Sequence, residues 1–252
     1  MSRLEPTGVG VYLRDLSEAT HGKPDGAAAV AAAHGVDFVA LAACWQEADR
    51  HTPMNVFDLD DYGRAFAKRG IDVWVWGYPW GTAERVEQFC RTMAQARDAA
   101  GAVGVLLDPE LGFKGERRRH MLDLLEGTVD TLDEASGLGF TSYGLISAHP
   151  SFPWNVAGGW GWGSPQFYTV PRRTALAGLD QWRQAGWRHL VASVPTFGPN
   201  SGERTAAYAG AIREHCDGVI FWSWRSTLKL EWRAIEAVAR RDDPPAPEEL
   251  VA

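Results

Sequence analysis

The sequence predicts an α/β protein, a single (β/α)8 barrel of the TIM type, on three observations. Eight short apolar runs, rich in β-branched and aromatic residues, alternate with mostly helical patterns. The 252 residues suit one barrel of ordinary size. An open doubly wound sheet would want a glycine-rich phosphate loop after its first strand, and none follows Leu13.

The first strand is Gly8 to Leu13, ending in Arg14-Asp15. An alanine-rich helix runs from about Pro24 to His34, with Pro near its start and Gly35 at its end. Val36 to Ala43 makes the second strand, running into Cys44-Trp45-Gln46-Glu47, and a helix from about Leu59 to Arg69 stops at Gly70. The third strand, Ile71 to Trp76, leads into Gly77-Tyr78-Pro79-Trp80. Thr82 is a fitting N-cap for a long helix to Ala100, and Gly101 is its stop.

The fourth strand, Gly104-Val-Leu-Leu, runs straight into Asp108-Pro109-Glu110. A helix from about Glu116 to Ala135 follows, and Gly137 with Gly139 read as a turn. The fifth strand is Thr141 to Ser147, ending in Ala148-His149-Pro150. A Gly/Trp-rich loop, Ser151 to Ser164, replaces the helix after it. Pro165 to Tyr168 is a short sixth strand, Arg188 to Val194 the seventh and Gly218 to Trp222 the eighth. Their helices are Ala175 to Ala185, Glu203 to His215 and Leu228 to Arg240. The barrel thus spans 1–241, and the Pro- and Glu-rich tail, 242–252, reads as disordered.

Composition removes several function classes. With 45% hydrophobic and 23% charged residues, the chain is ordinary for a soluble globular protein. Its net charge of −7 carries no nucleic-acid footprint, and the one basic run, Arg117-Arg118-Arg119, lies in a helical pattern as a solvated face. Three scattered cysteines form no disulfide framework, seven histidines show no metal-ligand spacing, and no cofactor motif is present. No apolar run suits membrane insertion, and the first residues lack a signal core, so the expectation is synthesis in the cytosol. Action at a cell wall would then follow lysis or a dedicated export machine. Twelve tryptophans stand out, a number that suits a surface stacking on flat ligand faces.

In a barrel the strand ends share one rim, where the chemistry collects. That rim carries Asp15, Trp45 with Gln46 and Glu47, Trp76 with Tyr78 and Trp80, Asp108 with Glu110, His149, Gln166 with Tyr168, and Trp222 with Trp224. Side chains alternate along a strand, so Asp108 and Glu110 are expected on one side, with Cβ atoms roughly 6.5–7 Å apart. Two carboxyls that close can divide acid and base roles. Carboxylates beside aromatic platforms suit a carbohydrate polymer, because sugar rings offer C–H faces to stack and hydroxyls to bond. A pair of carboxyls is also the usual requirement for glycosidic cleavage. Among the loop tryptophans, Trp80, Trp154, Trp160 and Trp162 read as ligand platforms, whereas Trp74 reads as packing.

These residues carry a resemblance. Leu107-Asp108-Pro109-Glu110 resembles the Asp-x-Glu at the fourth strand of barrel glycosidases of the chitinase type (family 18) and the lysozyme type (family 25). Gln166-Phe-Tyr168 is similar to their Gln-x-Tyr on the sixth strand, and Gly218-Val-Ile-Phe-Trp222-Ser-Trp224 to the run that closes the chitinase-type barrel. Asp15 stands where the lysozyme type has an Asp after its first strand. The resemblance implies Glu110 as general acid and Asp108 as its partner. It gives Tyr168 and Gln166 the holding of a substrate acetamido group, Trp222 the floor of the sugar site, and Asp15 a part in positioning substrate or water. The implied substrate is an N-acetylhexosamine polymer, peptidoglycan ahead of chitin.

The chain also departs from the pattern. Gly104 and Leu106 stand where chitinases continue their acidic run, Pro109 removes a backbone donor, and Arg225 follows Trp224. A second reading is therefore a catalytically lapsed barrel that binds glycan within a larger assembly. A third, a metabolic barrel for phosphorylated substrates, rests only on Asn200-Ser201-Gly202 near the seventh strand.

Overall fold

In this computed structural model, residues 4–17, 19–133, 136–197, 202–227 and 229–240 are described. The sheet strands are β1 (Gly8–Leu13), β2 (Phe38–Gln46), β3 (His51–Pro53), β4 (Asp72–Tyr78), β5 (Gly104–Leu107), β6 (Gly137–Tyr143), β7 (Trp162–Gln166), β8 (Val191–Pro195) and β9 (Gly218–Trp222). All except β3 are parallel, and β1 pairs with both β2 and β9, so eight strands close into a barrel. The short β3 returns antiparallel along the end of β2, pairing His51 with Gln46.

The helices α1 (Pro24–Ala33), α2 (Val56–Ala67), α3 (Ala83–Ala100), α4 (Met121–Val129), the one-turn α5 (Trp154–Ala157), α6 (Arg172–Gln184), α7 (Gly202–Arg213) and α8 (Lys229–Ala239) accompany the strands. Local chemistry sets their ends. Asn55 Oδ1 accepts from Phe57 N at 3.0 Å at the start of α2. Gly101, at φ 57°, ends α3 in the left-handed conformation that glycine tolerates best. Among the described residues no helix is long and apolar enough to cross a membrane.

Strand parity divides the core in two. Along β4, Val73 and Val75 belong to the layer between sheet and helices, while Trp74 and Trp76 join Tyr12, Phe38, Leu106, Trp162, Val191 and Ile220 inside the barrel. Trp74 and Trp162 meet edge to face at 5.2 Å and 83°. Rings this large fit because β5 and β6 carry glycine opposite them. A Cβ on Gly137 would lie 2.2 Å from Trp74, and one on Gly139 2.4 Å from Trp162.

This filling corrects part of the sequence reading. Gly137 and Gly139 do not form a turn. They open β6, which therefore begins four residues earlier than the expected fifth strand. Trp162 is not a loop platform: it is fully buried on β7, which starts within the expected glycine-rich loop. The helix after β5 is shorter than expected, a 3-10 turn over Gly115–His120 followed by α4. The tail and Asn200-Ser201 lie outside the described residues.

Candidate active site

Strand β5 ends at Leu107, and the Asp108 N–H continues its pairing by donating to Gly77 O at 2.9 Å. The chain then leaves the sheet. Pro109 O accepts from Ser142 Oγ at 2.7 Å, and Glu110 leads into a 3-10 turn over Leu111–Phe113. Asp108 and Glu110 therefore do not share a strand face as i and i+2; the loop, pinned to β6 at Pro109, brings them together. Their carboxyl groups are hydrogen-bonded neighbours, with Asp108 6% exposed and Glu110 half-buried.

Gln166, at the end of β7, donates Nε2–H to Asp108 Oδ1 at 2.9 Å and to Thr141 Oγ1 at 3.3 Å. Burial drives the Asp108 carboxyl well above the usual range; the Glu110 charge adds to this and the Gln166 bond opposes it. Burial likewise raises Glu110, against Gln166, Asp108 and the Lys114 ammonium. The two groups titrate as one unit that keeps a proton above the ordinary carboxyl range.

Beneath the pair lies a polar layer that the sequence reading missed. Tyr12 Oη lies 3.2 Å from Ser193 Oγ, which lies 2.8 Å from Ser164 Oγ, and Thr141 Oγ1 donates to Ser164 O at 2.7 Å. Burial is the main reason that Tyr12 is pushed up to about 12. Tyr168 is raised too, chiefly by burial and then by the nearby Tyr12 and Asp108. Its ring lies 6.0 Å from Trp222 at 33°.

Trp222 packs on Tyr12 at 5.1 Å and on Trp76 at 5.3 Å, while Trp45 stacks on Tyr78 at 4.4 Å and 12°. Tyr78 is raised by burial and then by Glu110 and Asp108, which puts this aromatic wall beside the acid pair. On the other side Tyr143, also missed, stacks on His149 at 3.7 Å and 11°. Lys114 Nζ sits 4.2 Å over the Tyr143 ring and 2.9 Å from His149 Nδ1. Burial and then Lys114 lower His149, so its neutral ring accepts this bond.

Other expected site residues fall elsewhere. Asp15 accepts from Ser17 N at 3.0 Å and Ser17 Oγ at 2.6 Å, which makes it the cap of the turn after β1. Trp80 donates its backbone N–H to Gln46 Oε1 at 3.0 Å and carries Arg117 over its ring at 4.6 Å. Trp224 turns away from the barrel interior to pack on Trp232 at 4.6 Å, Trp154 is buried, and Trp160 packs on the outer core. These three complete the layer outside the sheet, because the loops that hold them fold back over apolar neighbours. Among the described residues no group of three His, Cys, Asp or Glu could hold a metal ion.

Interior parity was the only signal for Tyr12, Thr141, Ser164 and Ser193. Their strands read as plain β sequence, and the polar layer exists only once the barrel closes.

No family model matches the chain, and no curated protein matches it. Solved structures do. A class V chitinase mutant from the plant Cycas revoluta, in complex with (GlcNAc)3, superposes with a TM-score of 0.69 at 12% identity, covering 92% of this chain and 98% of that one. The spore cortex-lytic enzyme SleL of Bacillus cereus matches with a TM-score of 0.65 at 10% identity, over 92% of this chain and 74% of that one. A chitinase-like agglutinin from Robinia pseudoacacia gives 0.67 at 11% identity, over 92% and 98%. At such identities the likeness establishes the (β/α)8 fold across nearly the whole chain.

Proposed function

We propose that this protein is a glycoside hydrolase acting on an N-acetylhexosamine-containing polymer, peptidoglycan ahead of chitin, with Glu110 as general acid and Asp108 as its partner. The observation that carries this reading is the buried Asp108–Glu110 pair, both carboxyls raised by burial and Asp108 bonded by Gln166, beside an aromatic wall. A carboxyl that keeps its proton near neutral pH can give it to a leaving glycosidic oxygen. Asp108 holds that proton in the resting protein and hands it to Glu110 as sugar excludes water from the cleft. Tyr168 and Gln166 hold the substrate acetamido group, whose oxygen attacks the anomeric carbon, and the Asp108 carboxylate steadies the positive charge that results. Trp222 is the floor beneath that sugar. Such a protein works at a cell wall, reached after lysis or through an export machine.

The chitinase, solved with a GlcNAc oligomer, and the cortex-lytic enzyme support the reading at the level of fold. Glu110→Gln keeps the shape of the site and removes the acid, so clearing of a cell-wall suspension should stop while the protein stays folded, with a melting temperature no lower than that of the parent.

The likeness to an agglutinin favours one other reading, a barrel that binds glycan without cutting it. Sedimentation with insoluble cell wall by both parent and variant, with clearing by neither, would select that alternative.

A further inference from the structure

Beyond Pro109 the chain has left the sheet, yet Glu110 is held in place beside Asp108. The turn that follows it, Leu111–Phe113, is closed from inside by Phe113 N–H on Glu110 O at 3.0 Å. From outside, Arg117 Nε donates to Gly112 O at 2.9 Å and Arg117 Nη2 to Leu111 O at 3.2 Å. Gly81 N–H donates to the same Gly112 O at 3.2 Å. The guanidinium also lies over the Trp80 ring at 4.6 Å. Trp80 is itself fixed, its N–H donating to Oε1 of the fully buried Gln46, whose Nε2 donates to Arg85 O at 2.9 Å.

The two loops approach closely. A Cβ on Gly81 would lie 2.5 Å from Gly112 O, and one on Gly112 3.0 Å from Pro79 O. The loop after β4 and the turn after β5 therefore meet backbone to backbone. Arg117 suits this junction, because a planar fork reaches two carbonyls at once while its flat face covers an indole. Arg118 and Arg119 stay exposed, as expected of a solvated face, but Arg117 is partly buried.

We infer that Arg117 is a positioning residue for the acid pair, clamping the Glu110 turn to the Trp80 loop so that Glu110 stays packed on Asp108. This rests on the reading of Asp108 and Glu110 as the pair that cuts glycan, and adds what sets their geometry. Arg117 works through backbone, since the acceptors of its two hydrogen bonds are carbonyl oxygens. A misplacement of about 1 Å in a catalytic group can cost on the order of 10²-fold in rate.

The test titrates the two carboxyls by carboxyl-carbon NMR in the full chain, assigned with Asp108→Asn and Glu110→Gln. Parent, Arg117→Met, Arg117→Lys and Gly81→Ala are compared, with thermal unfolding recorded for each. Lys114, Tyr12, Tyr78, Tyr143 and Tyr168, the other titratable groups around the pair, are the same in all four. Loss of the clamp lets water reach the pair, so its upper midpoint should fall toward the ordinary carboxyl range in Arg117→Met. Loss of a cation alone would do the opposite and raise it. Arg117→Lys keeps the charge and one bond and should lie between. Gly81→Ala forces the loops apart with Arg117 in place, and its midpoint should fall too. On a wall or oligomer that the parent cleaves, kcat should drop about tenfold in Arg117→Met with KM within about twofold.

A midpoint that rises or stays in place in folded Arg117→Met, even with a lower melting temperature, would overturn the clamp. If Arg117→Met does not fold, Arg117→Lys decides: a lower midpoint supports the clamp and an unchanged one overturns it. Cleavage is scored separately. No cleavage by the parent removes the hydrolase and leaves the clamp to the titration, whereas cleavage with an unmoved midpoint does the reverse.

Discussion

Burying two carboxyl groups side by side costs stability, and Asp108 carries most of that cost. Its folded pKa lies above the unfolded value of about 3.9. Below that value both states hold the proton and nothing is lost. As pH rises through the folded pKa, the unfolded chain has already released its proton, so the folded state falls behind. Asp108→Asn removes this penalty and still offers Gln166 an oxygen. Its melting temperature should match the parent near pH 4 and exceed it at pH 8, by about 2–4 °C for each kcal/mol relieved; a gap that does not widen with pH would contradict the account.

Lys114 acts the other way on Glu110, favouring its ionised form. The groups facing that carboxyl are Asp108, Gln166, Lys114, Tyr78, Tyr143 and Tyr168. Replacing the ammonium in Lys114→Met should move the alkaline limb of kcat/KM upward, read from a pH–rate profile, and a limb that stays in place or moves down would contradict the contact. Asp108, Glu110, Gln166, Tyr168 and Trp222 were legible in the sequence because short patterns at strand ends mark them. Tyr143 and Lys114 were not, since nothing local shows that two separate loops meet over one ring.

At the scale of elements, the barrel interior is a contest between ring volume and backbone approach. Gly137 settles it on β6, where an added Cβ would meet Trp74 at 2.2 Å and Leu4 O at 2.4 Å, the latter being backbone that a rotamer change cannot clear. Gly137→Ala should destabilise the fold by about 1–3 kcal/mol, measured as a lower denaturant midpoint with an unchanged slope. A midpoint equal to that of the parent would mean that the ring and the facing backbone give way without cost. The same contest explains the misread region. Glycine usually punctuates, so Gly137, Gly139, Gly161 and Gly163 looked like loop, whereas three of them are strand residues beneath tryptophans. Strands β1 and β9 were legible to the residue, because their apolar runs begin at glycine and end at the rim. The three-residue β3 was not, for His51-Thr52-Pro53 has no periodicity to read. Gly104 and Leu106 also find their reason here. They face Trp74 and the inner core, which leaves no room for the further acids of the chitinase pattern.

For the whole molecule, eight parallel strands set every strand exit on one rim, and that closure turns scattered residues into a site. Asp108 and Gln166 are 58 positions apart in sequence yet bond at 2.9 Å. Fold class was legible from alternation and length alone. The composition of the rim was legible only in part, because Trp160, Trp162 and Trp224 needed the packing to show that they serve the core. The central claim is that this rim cuts a glycan through Glu110. It is tested most directly by reducing-end release, with mass spectrometry of the products, from purified cell walls and chitin oligomers treated with the parent or Glu110→Gln. The account predicts muropeptide or N-acetylhexosamine oligomer products from the parent and a loss of about 10²–10⁴-fold in the variant. Equal release by both proteins, or none by either while both bind the wall, would contradict it.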